Sequence, residues 1–306
     1  MARRSPEGST ENVSSFEQQF SSIKMVDGIE TVDIDPDGEE TENSVVVAPG
    51  FSRTMPTFKN SLEVLHDRGR RVLSLNQPRA GGEINSTENT EGINKEVLRR
   101  ATSLYKIIKD RIENSENDEK IDMIGQSMGG LDAVIAIMML ENDNPGAVEN
   151  LVLVDPAGMI GPDSVVGLGS RFTKQLKQNK EVSKSPRRSE KAKENTRIAG
   201  KEFFKYLAKN PLRAVKEVVG ASSLEINDLL LALKEKGIGI SVIHGVDDLT
   251  FPMDRVQKNT KKEQLDGFYS VAGNHNELYL NPEQYMALAE QALSDLRKKK
   301  EKKKNT

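Results

Sequence analysis

Ser127 stands between two glycines in the stretch IDMIGQSMGG. The apolar run Ile121 to Ile124 reads as a strand, and LDAVIAIMML, apolar without a break, reads as a buried helix. Strand, sharp turn and helix are the setting in which a G-x-S-x-G pentapeptide presents its hydroxyl for attack. A serine hydroxyl is a poor nucleophile until a base takes its proton, so Ser127 needs partners from elsewhere in the chain.

The base must come from three histidines, His66, His244 and His275. His66, in LEVLHDRG, falls at a helix end, where a dipole or solvent role is ordinary. His244 closes the apolar run GISVIHG and reads as structural. His275, in the polar loop VAGNHNEL after the last strand-like run, is the one able to reach back over a sheet edge. A histidine base needs a carboxylate to hold its tautomer and stabilise the imidazolium. HGVDDLTFP offers Asp248, the favoured choice, and Asp247; LVLVDPAG offers Asp155 as a third. The resulting chain order is Ser127, Asp248, His275.

In these motifs the chain resembles the α/β-hydrolases of the serine esterase and lipase type that carry a helical lid, over nearly all of residues 23–297. IDMIGQSMGG is similar to the family's nucleophile elbow, with Gln126 in the variable position. GVDDLTFP is similar to the G-x-x-D-x-x-x-P acid turn, placing the acid on Asp248, and GNHNE to the loop bearing the base. The resemblance implies an oxyanion hole made by the backbone amides of Met128 and of Phe51 in APGFSRT. Pro49-Gly50 stands where the family usually has His-Gly, a change expected to be tolerated because the following amide does the work. A second departure, NQPRAGG, replaces a common aspartate and G-x-G, leaving Arg53 and Arg79 as candidate ligand contacts at the mouth.

The elements that must position these groups alternate. Strand-like runs IETVDI, SVVVAPGF, RVLSLNQP, KIDMIGQS, NLVLVDPAG, GISVIHG and GFYSVAG are interleaved with helical patterns over 56–67, 91–113, 128–141, 254–262 and 282–297. Such alternation predicts an α/β fold, a mainly parallel sheet covered by helices on both faces. It is interrupted over 159–237 by purely helical patterns, too long for a loop and therefore expected to form an inserted helical lid or cap. The expected division is a disordered tail over 1–22, a hydrolase core over 23–158 and 238–297, the lid, and a basic tail over 298–306.

The 306 residues suit one catalytic-size unit. Cysteine is absent, which excludes disulfides, zinc-thiolate sites and cysteine nucleophiles. The formal charge of -3 excludes a globally basic nucleic-acid binder, and no specific nucleic-acid partner is expected. No signal peptide follows Arg3 and Arg4, so a cytoplasmic protein is expected. From Ser170 to Glu217, however, fifteen lysines and arginines face five glutamates and no aspartate, a local net charge of +10. With the tail RKKKEKKKNT this could draw an anionic ligand or membrane surface.

The residues therefore predict a serine hydrolase that cleaves a carboxylic ester or thioester through an acyl-enzyme, with no metal and no cofactor. Acyl transfer, C–C bond hydrolysis or peptide hydrolysis on the same fold are alternatives. From another class comes a non-catalytic scaffold holding a partner with its basic lid.

Overall fold

The sheet owes its central position to strands that are apolar on both sides. In Ser44–Ala48 (β3), Val45 and Val47 enter one core cluster and Val46 and Ala48 the other, the period of two that a strand imposes. The same division recurs in Val148–Val154 (β6), where Leu151 and Leu153 oppose Val152 and Val154. Both faces must then be covered, which favours a parallel sheet with helices on each side.

The computed structural model describes residues 14–38, 43–77, 93–115, 119–161, 163–184 and 189–304. The remaining strands are Lys24–Val26 (β1), Ile29–Ile34 (β2), Val72–Leu75 (β4), Ile121–Gln126 (β5), Gly239–Gly245 (β7) and Gly267–Val271 (β8). They form one sheet in the order β1-β2-β4-β3-β5-β6-β7-β8. β2 is antiparallel to β1 and β4, and every pair from β4 to β8 is parallel. All seven strand-like runs of the sequence are strands. β1 is an addition to them, a three-residue edge strand joined to β2 through Asp27-Gly28, both at positive φ, the backbone that a two-residue hairpin requires.

The helices are Ser15–Ser21 (α1), Met55–His66 (α2), Lys95–Glu113 (α3), Met128–Asp143 (α4), Val165–Ser183 (α5), Glu190–Lys209 (α6), Pro211–Ser223 (α7), Asn227–Glu235 (α8), Met253–Asn259 (α9), Glu277–Leu280 (α10) and Pro282–Lys304 (α11). α3, α4 and α8 supply one core cluster, and α1, α2, α10 and α11 the other. Among the described residues, no helix is long and apolar enough to cross a membrane.

Two expectations need correction, and a third, the basic tail read as an extension of the last helix, does not. The disordered tail expected over 1–22 is helical at α1: Ser14 accepts a cap bond from the Glu17 amide at 3.2 Å, and buried Phe16 packs on His66 at 5.4 Å between rings. Residues 1–13 lie outside the described residues. The insertion expected over 159–237 is helical but divided. Met159 and Ile160 at its start, and Leu230 and Leu233 of α8, belong to the main core, whereas α5 and α6 contribute a single buried residue each, Leu168 and Ala199, to the two core clusters. The basic tail from 298 continues α11 to Lys304, where Lys300 donates to the Glu149 carbonyl at 2.6 Å.

Candidate active site

Ser127, Asp155, Asp248 and His275 follow the carboxyl ends of β5, β6, β7 and β8, four consecutive neighbours in the sheet. Open parallel sheets bind ligands at that edge.

The elbow is strained and braced. Ser127 has φ 54° and ψ −121°, a conformation that costs a non-glycine residue about 1–3 kcal/mol unless its surroundings enforce it. Its amide donates to the Val154 carbonyl at 2.9 Å, and its carbonyl accepts from the Gly130 and Ala157 amides at 3.0 and 3.1 Å. The flanking glycines are needed for space. A Cβ on Gly125 would stand 2.6 Å from Gly130 Cα, and one on Gly129 would collide with the Ala48 carbonyl oxygen. The corner between β5 and α4 thereby closes on itself and on the end of β3.

His275 completes a hydrogen-bonded chain. Its Nε2 is 2.8 Å from Ser127 Oγ and its Nδ1 is 2.8 Å from Asp248 Oδ2. With Nδ1–H donating to the carboxylate, Nε2 is free to accept the serine proton. Asp248 is fixed in turn, because its Oδ1 accepts from the Thr250 and Phe251 amides at 2.7 and 2.9 Å. Phe251 also meets the imidazole edge-on, 5.2 Å between ring centres. From the opposite side Gln126 Nε2 donates to the His275 carbonyl at 3.0 Å. All of these side chains are buried.

No protein-family model matches the chain, and no curated protein matches it. Solved structures do. An esterase from Thermogutta terrifontis is 19% identical with a TM-score of 0.58, over 90% of this chain and 97% of that one. An enol-lactonase from Burkholderia xenovorans LB400 is 13% identical with a TM-score of 0.60, over 89% and 99%. A bromoperoxidase from Bacillus anthracis is 16% identical with a TM-score of 0.57, over 87% and 96%. By fold, the chain is an α/β-hydrolase.

On this α/β-hydrolase sheet the competing candidates separate. Asp247 is exposed and lines a cleft of 570 Å³ between α5, α6 and the loop before α10, which holds no atom of Ser127, Asp248 or His275. Asp155 is fully buried beside the chain, with Oδ1 accepting from the Gly245 amide at 2.8 Å and lying 3.5 Å from His244 Nδ1. Burial, reinforced by the charge of Asp248, raises its carboxyl well above the usual range. Burial conversely lowers the pKa of His244, whose Nε2 donates to the Phe251 carbonyl at 2.8 Å. His66 packs against Phe16 far along α2. Among the three histidines only His275 touches Ser127. Asp155, Asp248 and His275 bring ligating atoms within 4.8 Å of one another, the residue types that could hold a cation; a cation there would compete with the Asp248–His275 hydrogen bond.

Phe51 and Met128 both face the cavity above Ser127. Among the described residues neither of their amides is paired with a backbone carbonyl in a turn, loop or cap. The cavity measures 70 Å³ and is lined chiefly by apolar side chains, including Leu168 and Phe172 of α5, Val218 and Ala221 of α7, and Phe251. No cation lines it.

Of the two arginines anticipated at the mouth, Arg53 lies elsewhere. Arg53 is buried, donates to the Ala199 carbonyl of α6 at 2.9 Å and stacks over Tyr279 at 4.9 Å; it is a strut, because its guanidinium is satisfied inside the protein. Arg79 lies outside the described residues. Sequence reasoning missed Arg100 instead. From α3 it donates to Asp132 of α4 at 2.9 Å and to the Pro49 carbonyl at 3.1 Å, two residues before Phe51. Glu217 of α7 lies fully buried next to it, accepting from Tyr206 of α6 at 2.5 Å and Arg213 at 3.2 Å, with Arg99 at 3.5 Å. α6 and α7 are thus tied to the loop that carries Phe51.

Proposed function

We propose that the chain is a serine hydrolase that cleaves carboxylic esters or thioesters bearing a small, apolar acyl group. The observation that carries this reading is the Ser127–His275–Asp248 chain, with a strained serine at one end and an anchored carboxylate at the other. Ser127 Oγ attacks the carbonyl carbon while its proton passes to His275 Nε2, and Asp248 stabilises the imidazolium. The negative charge that forms on the carbonyl oxygen is met by the amides of Met128 and Phe51. Collapse expels the alcohol or thiol with the proton returned from His275, leaving an acyl-serine. Water then repeats the sequence, giving the carboxylic acid and free Ser127.

The acyl preference rests on the cavity. Its 70 Å³ is far below the roughly 300–1,000 Å³ of sites that enclose drug-sized ligands. Its apolar lining favours a neutral chain. Neighbours described as an esterase and an enol-lactonase support the reading through shared fold.

A series of p-nitrophenyl esters of increasing chain length tests it. The greatest kcat/KM is expected for acetyl to butyryl esters, falling as the chain outgrows the cavity. Turnover absent across the whole series, or a maximum at long chains, would overturn the proposal.

A further inference from the structure

Helix α7 is amphipathic in the wrong sense for a helix that packs on a core. Leu212, Val215 and Val219 recur at the spacing of one helical face, yet that face is turned to solvent, with Leu212 79% and Val215 58% exposed. The opposite face buries Glu217 completely among Arg99, Arg100 and Arg213. On adjoining α6 Phe204 is 69% exposed. Its ring lies 5.6 Å from Phe203, which packs in turn on Phe51 at 6.4 Å beside the cavity. Large apolar side chains left outside in this way mark a binding surface.

Charge says which surface. Lys201, Lys205, Lys209 and Lys216 are exposed on the same two helices, and the only acid of α7 is the buried Glu217. Over 190–223 eight lysines and arginines stand against four glutamates, so a second copy of this face would bring two segments of net +4 together across a two-fold contact. Apolar side chains interspersed with lysines suit an interface where hydrocarbon underlies a layer of phosphates.

We propose that the outer face of α6 and α7 is a docking surface for an anionic lipid bilayer, with Phe204, Leu212 and Val215 entering the acyl boundary and the lysines meeting lipid phosphates. Docking would set the end of the molecule that carries the cavity against the membrane. The proposal is independent of catalysis by Ser127, and its test needs no turnover.

The test is co-sedimentation of the full chain with phosphatidylcholine vesicles, with and without phosphatidylglycerol. Binding is expected with the anionic vesicles, at least about tenfold weaker with the neutral ones, and reduced at about 0.5 M salt as screening sets in. Leu212→Ser with Val215→Ser should weaken anionic binding by about tenfold, and Lys201→Gln with Lys205→Gln and Lys216→Gln should remove the preference for anionic lipid. All five positions are exposed, so circular dichroism should confirm unchanged folding. Failure of the full chain to bind anionic vesicles at low salt would overturn the proposal. So would binding that survives both sets of substitutions but is lost when the lysines of 298–304 are replaced, which assigns it to the end of α11. A dimer that dissociates in the Leu212→Ser, Val215→Ser variant, without vesicle binding, assigns the face to a second copy and equally overturns it.

Discussion

Asp155 and Asp248 bring two fully buried carboxyl groups to one side of His275, and only Asp248 bonds it. Asp248 is supplied with two backbone amides and the imidazole N–H, so its charge is solvated by fixed donors. Asp155 has one amide donor and sits in the field of its neighbour. Two carboxylates this close cannot both ionise cheaply. The two carboxyls are therefore unlike: Asp248 holds the histidine, and burial beside it raises the pKa of Asp155.

That division predicts opposite consequences for one chemical change. Asp248→Asn should lower kcat by about 10⁴-fold, because the amide no longer holds the imidazole in the right tautomer. Asp155→Asn is an isosteric change at a group that does not bond His275 and should keep kcat within about tenfold. Exposed Asp247→Asn should be nearly silent. Steady-state kinetics on a short ester ranks the three, and equal losses at Asp155 and Asp248 would remove the distinction.

The same carboxyl makes a stability prediction with a definite sign. The folded pKa of Asp155 is raised, so the native state binds more protons than the unfolded state above the unfolded value of about 3.9. Its contribution is fully present below that pH and is lost as pH rises towards the folded pKa. The amide side chain of Asp155→Asn cannot ionise in either state. The melting temperature of that variant relative to the native protein should therefore increase as pH rises above about 4.

Arg100 links α3, Asp132 and the Pro49 carbonyl. Arg100→Met leaves buried Asp132 without its cation, a loss of about 3–5 kcal/mol, read in chemical denaturation. Because the loop bearing Phe51 loses an anchor, kcat should fall more than KM rises. Unchanged kcat in the folded variant would detach this cluster from the site.

The walls of the cavity set chain length. Phe172→Ala and Leu168→Ala remove side chains that line it and should shift the optimum of the ester series towards longer chains, each added methylene offering about 0.8 kcal/mol of burial. Acetyl ester turnover should change little. An unaltered chain-length profile would place the acyl group elsewhere.

Much of this arrangement is legible in the sequence because it is written in local pattern. The seven strands are short apolar runs, and Ser127, Asp248 and His275 follow the ends of three of them. What stays hidden depends on partners distant in the chain. Arg53 reads as a loop arginine until Ala199 and Tyr279 are placed beside it. LEINDLLLALKEKG shows an apolar face without showing that α8 lays it on the main core and not over the site. In α7 the pattern misleads, since Leu212, Val215 and Val219 resemble a core face; burial of Glu217 is decided by arginines of α3. β1 and α1 are the exceptions, since Asp27-Gly28 and the cap at Ser14 are both local signals for them.

The central claim, that Ser127 is an activated nucleophile, is tested most directly by a fluorophosphonate probe followed by mass spectrometry of the labelled protein. The account predicts one adduct per chain on Ser127, absent in Ser127→Ala and strongly slowed in His275→Ala while both variants remain folded. Labelling that persists in Ser127→Ala, or native protein that resists the probe altogether, would contradict it.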